Sequence, residues 1–214
     1  MSNLKESHDI ILQLVKESID ELAAHFLKNP YFFYTENDLH CHLFNIIFKK
    51  FESSGLNMPY KTSDEKYSIL LHKEYPTKAK YSGNKKTGEL EKEEGKTRGH
   101  FDLSVWNPDL VNKKLFRSKG GKGEQETFIA IELALVENNY QAKDALIHTK
   151  NDLLKLSDSE NNVEYGFMLF FVREWDNRDE FKLIAKKQLT LKEKPTSYYI
   201  ETKKELLNDF LNKP

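Results

Sequence analysis

Two apolar, strand-forming segments of this chain each carry one carboxylate near their middle. Asp102 lies in segment 99–106, and Glu132 lies in segment 128–135. Side chains alternate between the two faces of a strand. We therefore expect Asp102 to share a face with His100 and Ser104, and Glu132 to share a face with Ala134. The apolar residues should then cover the opposite faces: Phe101, Leu103 and Val105 in the first segment, and Ile129, Ile131, Leu133 and Leu135 in the second.

A lone carboxylate in a buried strand costs free energy unless a cation pairs with it. Two such carboxylates on adjacent strands indicate a site for a divalent metal ion. The loop between the two segments carries Gly120, Gly121 and Gly123 and is compatible with an antiparallel connection. That arrangement would place Asp102 and Glu132 side by side.

The pattern resembles the PD-(D/E)XK nuclease superfamily, whose fold is the restriction-endonuclease-like fold. The superfamily motif is an Asp on one strand and a Glu-x-Lys on the next. Asp102 and Glu132 match its two acids, while Ala134 stands at the lysine position. Glu36 resembles the acidic residue of the first helix. Segment 71–77 resembles the preceding strand and segment 148–156 the following helix, so that the likeness covers residues 30–172.

The resemblance implies an enzyme that hydrolyses phosphodiester bonds of DNA or RNA with Mg²⁺, or Mn²⁺ in its place. A hard cation held by carboxylates activates water and neutralises phosphate charge. The implied metal ligands are Asp102, Glu132, the backbone carbonyl of Leu133, and Glu74, which in a regular strand shares a face with Leu70 and His72. Glu36 is implied as a ligand of a second ion or as a partner of a metal-bound water; its position also suits the dipole of its helix.

Ala134 cannot supply the ammonium group of the motif, which leaves two alternatives. In the first, a lysine on another element replaces it; Lys150 ranks first, with Lys155 and Lys73 behind it. In the second, the site is inactive, and the protein binds nucleic acid or a protein partner without cutting it.

Hydrophobic periodicity predicts an α/β fold, a mixed sheet flanked by helices, in a single nuclease-like domain over 1–214. Thr35 is a good N-cap, with Asp38 three residues later. The predicted helices are 6–28, 36–52, 139–156 and 201–212. The predicted strands are 67–76, 100–106, 127–135, 163–172, 181–185 and 197–200, with a long polar connection or extended hairpin over 77–98.

The net charge of −1 gives no general affinity for nucleic acid. A basic loop after the Asp102 strand is a candidate for contacts with the phosphate backbone; it carries Lys113, Lys114, Arg117, Lys119 and Lys122. The aromatic run 31–34 fits a core plug between two helices, and base stacking is the alternative.

The single cysteine excludes an internal disulfide and suits a reducing, cytoplasmic environment. The first residues lack a signal-peptide pattern, and the longest apolar run, 167–172, is too short to span a bilayer. We expect nucleic acid as the partner and no membrane association. A homodimer is open by analogy with other proteins of the fold.

Overall fold

A five-stranded mixed sheet with helices on both faces dominates the structure, a computed structural model that describes residues 2–61, 65, 67–83, 90–92, 99–108, 126–136, 142–173 and 196–201. Three α-helices are described: α1 (Ser2–Lys28), α2 (Glu36–Ser53) and α3 (Ala142–Ser157). The strands are β1 (Tyr60–Lys61), β2 (Tyr67–Ser68), β3 (Leu71–Pro76), β4 (Tyr81–Gly83), β5 (Leu90–Lys92), β6 (His100–Trp106), β7 (Thr127–Val136), β8 (Val163–Val172) and β9 (Thr196–Glu201).

The α/β class, with a mixed sheet flanked by helices, is confirmed. Thr35 caps α2 as predicted: its hydroxyl accepts from the Asp38 N–H, and the Asp38 carboxylate accepts from the Thr35 N–H. The predicted strand 67–76 is divided into β2 and β3, and the polar connection contains the β4–β5 hairpin. The predicted strand 181–185 and nearly all of the predicted helix 201–212 lie outside the described residues.

The main sheet has the strand order β3-β6-β7-β8-β9. The pairs β3–β6 and β6–β7 are antiparallel, while β7–β8 and β8–β9 are parallel. A parallel pair needs a crossover connection, which is commonly a helix, and α3 lies between β7 and β8 in the sequence. Glu132 therefore lies on the central strand and Asp102 on its neighbour.

Each face of the sheet has its own core. On one face, Ile129, Ile131, Leu133 and Leu135 of β7 pack with the buried stripes of α1 and α2. On the other face, Ala130, Ala134 and Val136 pack with Leu153 and Leu156 of α3. Every residue of β7 is buried, which is usual for a central strand covered on both sides.

In β3 and β6, the regular alternation of side chains between the two faces of the sheet is interrupted at Glu74 and at Asp102. Leu103 and Val105 pack in the core on the α1–α2 side, but Phe101 packs on the α3 side, so the prediction that these three residues share a face is wrong for Phe101. On β3, Leu71 packs on the α1–α2 side and Tyr75 on the α3 side.

The backbone of Glu74 explains the break in β3. Glu74 adopts a left-handed φ of 52°, between the register pairs Lys73↔Leu103 and Tyr75↔Phe101. A left-handed residue does not continue the pleat, so the prediction that Glu74 shares a face with His72 rested on a regularity that β3 lacks. A non-glycine residue in this conformation costs roughly 1–2 kcal/mol.

None of the helices in the described part of the chain is long and apolar enough to cross a membrane.

Candidate active site at a split between two strands

The β6–β7 ladder ends at the pair Leu103↔Ile131, one residue before Asp102 and Glu132 would face each other. Beyond this point two carboxylates occupy the edge of β7. Asp102 Oδ2 accepts a hydrogen bond of 2.8 Å from the Leu133 N–H, and Glu36 Oε2 accepts one of 3.2 Å from the Leu135 N–H. The side chains of Asp102 and Glu36 thus satisfy backbone groups that a neighbouring strand would otherwise bond.

The split also orients the Leu133 carbonyl. The N–H and C=O of one residue in a strand point toward the same neighbour. The Leu133 N–H points to Asp102, so its carbonyl oxygen lies on the same edge. Asp102 and the Leu133 carbonyl, both predicted metal ligands, therefore lie at the same edge of β7.

His40 lies one turn after Glu36 on α2 and connects the two carboxylates. Its Nε2 is 3.3 Å from Asp102 Oδ2 and 3.9 Å from Glu36 Oε1. The ring is buried, and the Nε2 atom has no hydrogen-bond partner of good geometry among the described residues. His40 therefore adds a nitrogen donor to the acidic edge of β7.

The two carboxylates at this edge have opposite pKa shifts. Burial raises the pKa of Asp102, but His40, the Leu133 N–H and the charge of Lys155 outweigh it and leave the pKa below its ordinary value. Glu36 is half exposed, yet desolvation of its carboxylate end, with the negative charge of Asp102, raises its pKa to about 7. Asp102 is thus ionised at neutral pH, while Glu36 exchanges its proton there.

On the α3 side of β7, Glu132 is buried with Lys155. Lys155 Nζ lies 2.7 Å from Glu132 Oε1 and 2.9 Å from Asp152 Oδ1, and it donates a hydrogen bond of 2.7 Å to the His100 carbonyl. Asp152 and Lys155 are spaced i, i+3 on α3, which places them as neighbours on the helix surface. One ammonium group therefore joins α3 to both β7 and the start of β6.

The electrostatics of this cluster are dominated by desolvation. Burial raises the pKa of Glu132 well above its ordinary value, the charge of Asp152 adds to the effect, and Lys155 opposes it. Burial also raises the pKa of Asp152. Burial disfavours the charged form of Lys155, but Glu132 and Asp152 outweigh it and keep the pKa of its ammonium group raised. Lys155 is therefore a permanent cation here.

The donor set fits a divalent cation in its chemistry. Glu132 and Asp152 contact the Lys155 ammonium group, Asp102 interacts with it at longer range, and Glu36 interacts with Asp102 and Asp152, so the cluster is rich in negative charge and oxygen. Glu132 Oε1 is buried and has no hydrogen bond of good geometry, despite the short contact with Lys155. As the side chains lie, however, no three His, Cys, Asp or Glu residues of the described part converge closely enough to hold a metal ion.

The remaining predicted site residues are distributed as follows. Ala134 is buried on the α3 side, on the same face as Glu132. Lys150 is half-buried on α3 and makes no ion pair with any residue that the structure describes. Glu74 is exposed and lies 4.0 Å from the Lys73 ammonium, which also contacts Asn37 and Cys41 of α2. The basic loop, with Lys113, Lys114, Arg117, Lys119 and Lys122, lies outside the described residues.

The structure thus places Asp102, the Leu133 backbone and Glu36 at one edge of β7, with Glu132 on the α3 side of the same strand, and it leaves Glu74 exposed beside Lys73. Two further residues of the site, His40 and Asp152, were missed by sequence reasoning. The lysine that contacts Glu132 is Lys155, whereas the sequence favours Lys150 as the replacement for the motif lysine. The i, i+4 spacing from Glu36 to His40 was the available signal for His40. For Lys155, the signal was its place between Leu153 and Leu156 in the buried stripe of α3.

No family model matches the chain, and no curated protein is significantly similar to it.

Proposed function

We propose that this protein is a Mg²⁺-dependent nuclease of restriction-endonuclease-like fold, in which Lys155 of α3 replaces the lysine that the motif places at Ala134. The observation that carries the proposal is the 2.7 Å contact between Lys155 Nζ and Glu132 Oε1, on the face of β7 that also carries Ala134. An ammonium group therefore reaches the motif glutamate from a neighbouring helix.

The order of elements supports the same proposal. An acid-bearing helix, α2, precedes the antiparallel strands β3, β6 and β7, and α3 leads into the parallel strand β8. The two motif acids lie on β6 and β7, where these strands separate. This order of elements agrees with what the resemblance to PD-(D/E)XK nucleases implies.

Within this proposal each residue has a defined role. Asp102, Glu132 and the Leu133 carbonyl would hold the divalent ion, which would supply Lewis-acid activation of water and neutralise phosphate charge. Lys155 orients the attacking water and stabilises the negative charge that develops on the phosphate. Glu36, with a pKa raised to about 7, accepts a proton near neutral pH. Asp152 is a positioning residue that holds the Lys155 ammonium group.

One observation favours the second candidate, a nuclease-fold module that binds nucleic acid or a protein partner without cutting. Asp102 and Glu36 already accept hydrogen bonds from β7, and the described carboxylates do not converge on one point. A degenerate site would retain such carboxylates as structural caps. The two candidates differ in one property, which is metal-dependent hydrolysis.

The test is a cleavage assay on single-stranded and double-stranded DNA and on RNA, with Mg²⁺, Mn²⁺ or EDTA. We expect hydrolysis by the wild type with either metal ion and none in EDTA. Asp102→Asn and Glu132→Gln should be inactive, and Glu74→Gln, at the exposed acid, should retain activity. If the wild type cuts no substrate with either ion, the non-cutting candidate replaces the nuclease.

A further inference from the structure

Three aromatic side chains are exposed on the segment that leads into α2. Phe32 is 76% exposed, Tyr34 is 81% exposed and Tyr31 is 48% exposed. Large aromatic side chains grouped on a surface mark interaction sites more often than singly scattered ones do. We call Tyr31, Phe32 and Tyr34 the aromatic platform.

Buried contacts fix the backbone of the segment that carries the platform. Phe33, between its members, is buried against Phe26 and the ring of His42. Arg173 Nε donates a hydrogen bond of 3.0 Å to the Pro30 carbonyl, and its guanidinium group lies 5.4 Å from the centre of the Tyr31 ring. A fixed backbone presents the exposed rings at low entropic cost, which favours binding.

The platform also adjoins the candidate active site. Along β7, the Leu133 N–H bonds Asp102, the Leu135 N–H bonds Glu36, and the Val136 carbonyl accepts from the Arg173 N–H. At ~3.3 Å per strand residue, Leu133 and Val136 are about 10 Å apart. The Leu133 and Leu135 N–H groups face the edge of β7 next to β6, whereas the Val136 carbonyl faces β8. The aromatic platform and Asp102 thus lie near the carboxyl-terminal half of β7, within reach of neighbouring units of one polymer.

The charge next to the platform selects between two parts of a nucleic acid. The Asp38 carboxylate lies in the same stretch as the platform, its pKa is lowered by hydrogen bonds from Thr35, and it repels phosphate groups. Aromatic faces accept neutral nucleobases by stacking, which needs the bases to be unpaired and accessible. The acidic, aromatic surface therefore suits bases better than it suits the sugar–phosphate backbone.

We propose that the aromatic platform stacks unpaired nucleobases next to the scissile phosphodiester, so that the substrate class is single-stranded nucleic acid. This inference rests on the proposed nuclease function. Phe32 and Tyr34 supply the stacking faces, while Phe33 and Arg173 keep the segment in place. A duplex, whose bases are already stacked and paired, gains nothing from these side chains.

The test compares the affinity of the full-length protein for a labelled 20-nucleotide single strand and for its duplex, by fluorescence anisotropy in EDTA at constant salt. We expect Phe32→Ala/Tyr34→Ala to weaken single-strand binding by about 5- to 150-fold for each base stacked and to leave duplex binding unchanged. Phe32→Trp/Tyr34→Phe should restore the affinity. Tyr67→Ala is the matched control, because Tyr67 is 67% exposed on β2, outside the platform.

A strand of the same length with abasic positions identifies stacking as the cause. On this probe we expect the wild type and the double alanine variant to bind equally. Equal affinities of the two proteins for the normal strand would overturn the platform. A loss that persists on the abasic strand would also overturn it.

Cleavage by the wild type, measured separately, keeps the two proposals distinguishable. Cleavage with an unchanged affinity of the alanine variant refutes only the platform. If the wild type neither binds nor cuts any strand, the nuclease and the platform fail together.

Discussion

Lys155 on α3 lies 2.7 Å from the carboxylate of Glu132 on β7, and both side chains are buried. The same ammonium group holds Asp152 and the His100 carbonyl. The contact therefore stabilises the packing of α3 on the sheet and places a cation at the motif glutamate. Under the proposed function, the stability of the fold and the rate of cleavage both depend on Lys155, and each can be measured separately.

Lys155→Met should destabilise the protein strongly. Removing one partner of a buried ion pair leaves an uncompensated carboxylate and costs about 3–5 kcal/mol. Lys150→Met on the same helix should change the free energy of unfolding by less than about 0.5 kcal/mol, because Lys150 has no ion-pair partner among the described residues. Urea unfolding monitored by circular dichroism measures both. Equal stabilities of the two variants would show that the Lys155 cluster does not contribute to the fold.

Glu36 should make stability depend on pH near neutrality. Its pKa is raised in the folded protein to about 7, from an ordinary value of 4.5. Its stabilising contribution is therefore fully present below pH 4.5 and is lost as the pH rises through about 7. Glu36→Gln removes this titration, so the variant should gain stability relative to the wild type between pH 5 and about 8. Urea unfolding in EDTA across this range checks it, and parallel pH profiles of the two proteins would contradict it.

His72 should make the protein less stable as the pH falls, which is the opposite of the effect expected for Glu36. It stacks on Trp106 at 3.9 Å, its Nε2 lies 2.8 Å from the Ile69 carbonyl, and burial lowers its pKa from 6.5 to about 4. Between pH 6.5 and about 4, His72 is protonated in the unfolded chain but not in the folded protein. The free energy of unfolding therefore falls as the pH drops through this range. His72→Phe keeps a ring over Trp106 and removes the proton.

The measurement for His72 is the free energy of unfolding of both proteins between pH 7 and about 4.5. The wild type should lose more stability over this range than His72→Phe. A difference between the proteins that stays constant with pH would mean that His72 titrates normally in the folded state.

Gly99→Ala should disturb the cluster through packing. An added Cβ would lie 2.7 Å from Thr77 Oγ1 and 3.4 Å from Lys155 Cδ. Thr77 is buried and donates a hydrogen bond to the Ala79 carbonyl, so it has little room to move. Overpacking of this kind costs about 1–3 kcal/mol, and we also expect slower cleavage because the next residue, His100, carries the carbonyl that accepts from the Lys155 ammonium group. Thermal melting and single-turnover rates test this, and wild-type values for both would refute it.

The sequence was sufficient for the elements that depend on local patterns. Alternating and continuous apolar runs predicted β6, β7 and β8, and the Thr35–Asp38 pair predicted the start of α2. These features follow from strand period and capping chemistry, which act within a few residues. The carboxylates at 102 and 132 could be recognised because each interrupts such a run.

The geometry of the site depends on departures from those patterns. Glu74 adopts a left-handed conformation that normally favours glycine. Because a glutamate occupies the position, the sequence contains no signal for the change of faces in β3. The position of Lys155 depends on the rotation of α3 about its axis, which the buried positions Leu153 and Leu156 define only once the sheet is in place. Within the run 31–34, Phe33 is buried as the core-plug prediction requires, whereas Tyr31, Phe32 and Tyr34 are exposed.

The most direct test of the central claim is the single-turnover rate of Mg²⁺-dependent cleavage by the wild type, Lys155→Met and Lys150→Met, each shown to be folded at the assay temperature. Loss of one group that stabilises transition-state charge typically lowers the rate by about 10²–10³-fold. We predict a loss of this size for Lys155→Met, partial recovery when Ala134→Lys is added, and a wild-type rate for Lys150→Met. A Lys155→Met variant that cleaves as fast as the wild type would contradict the account.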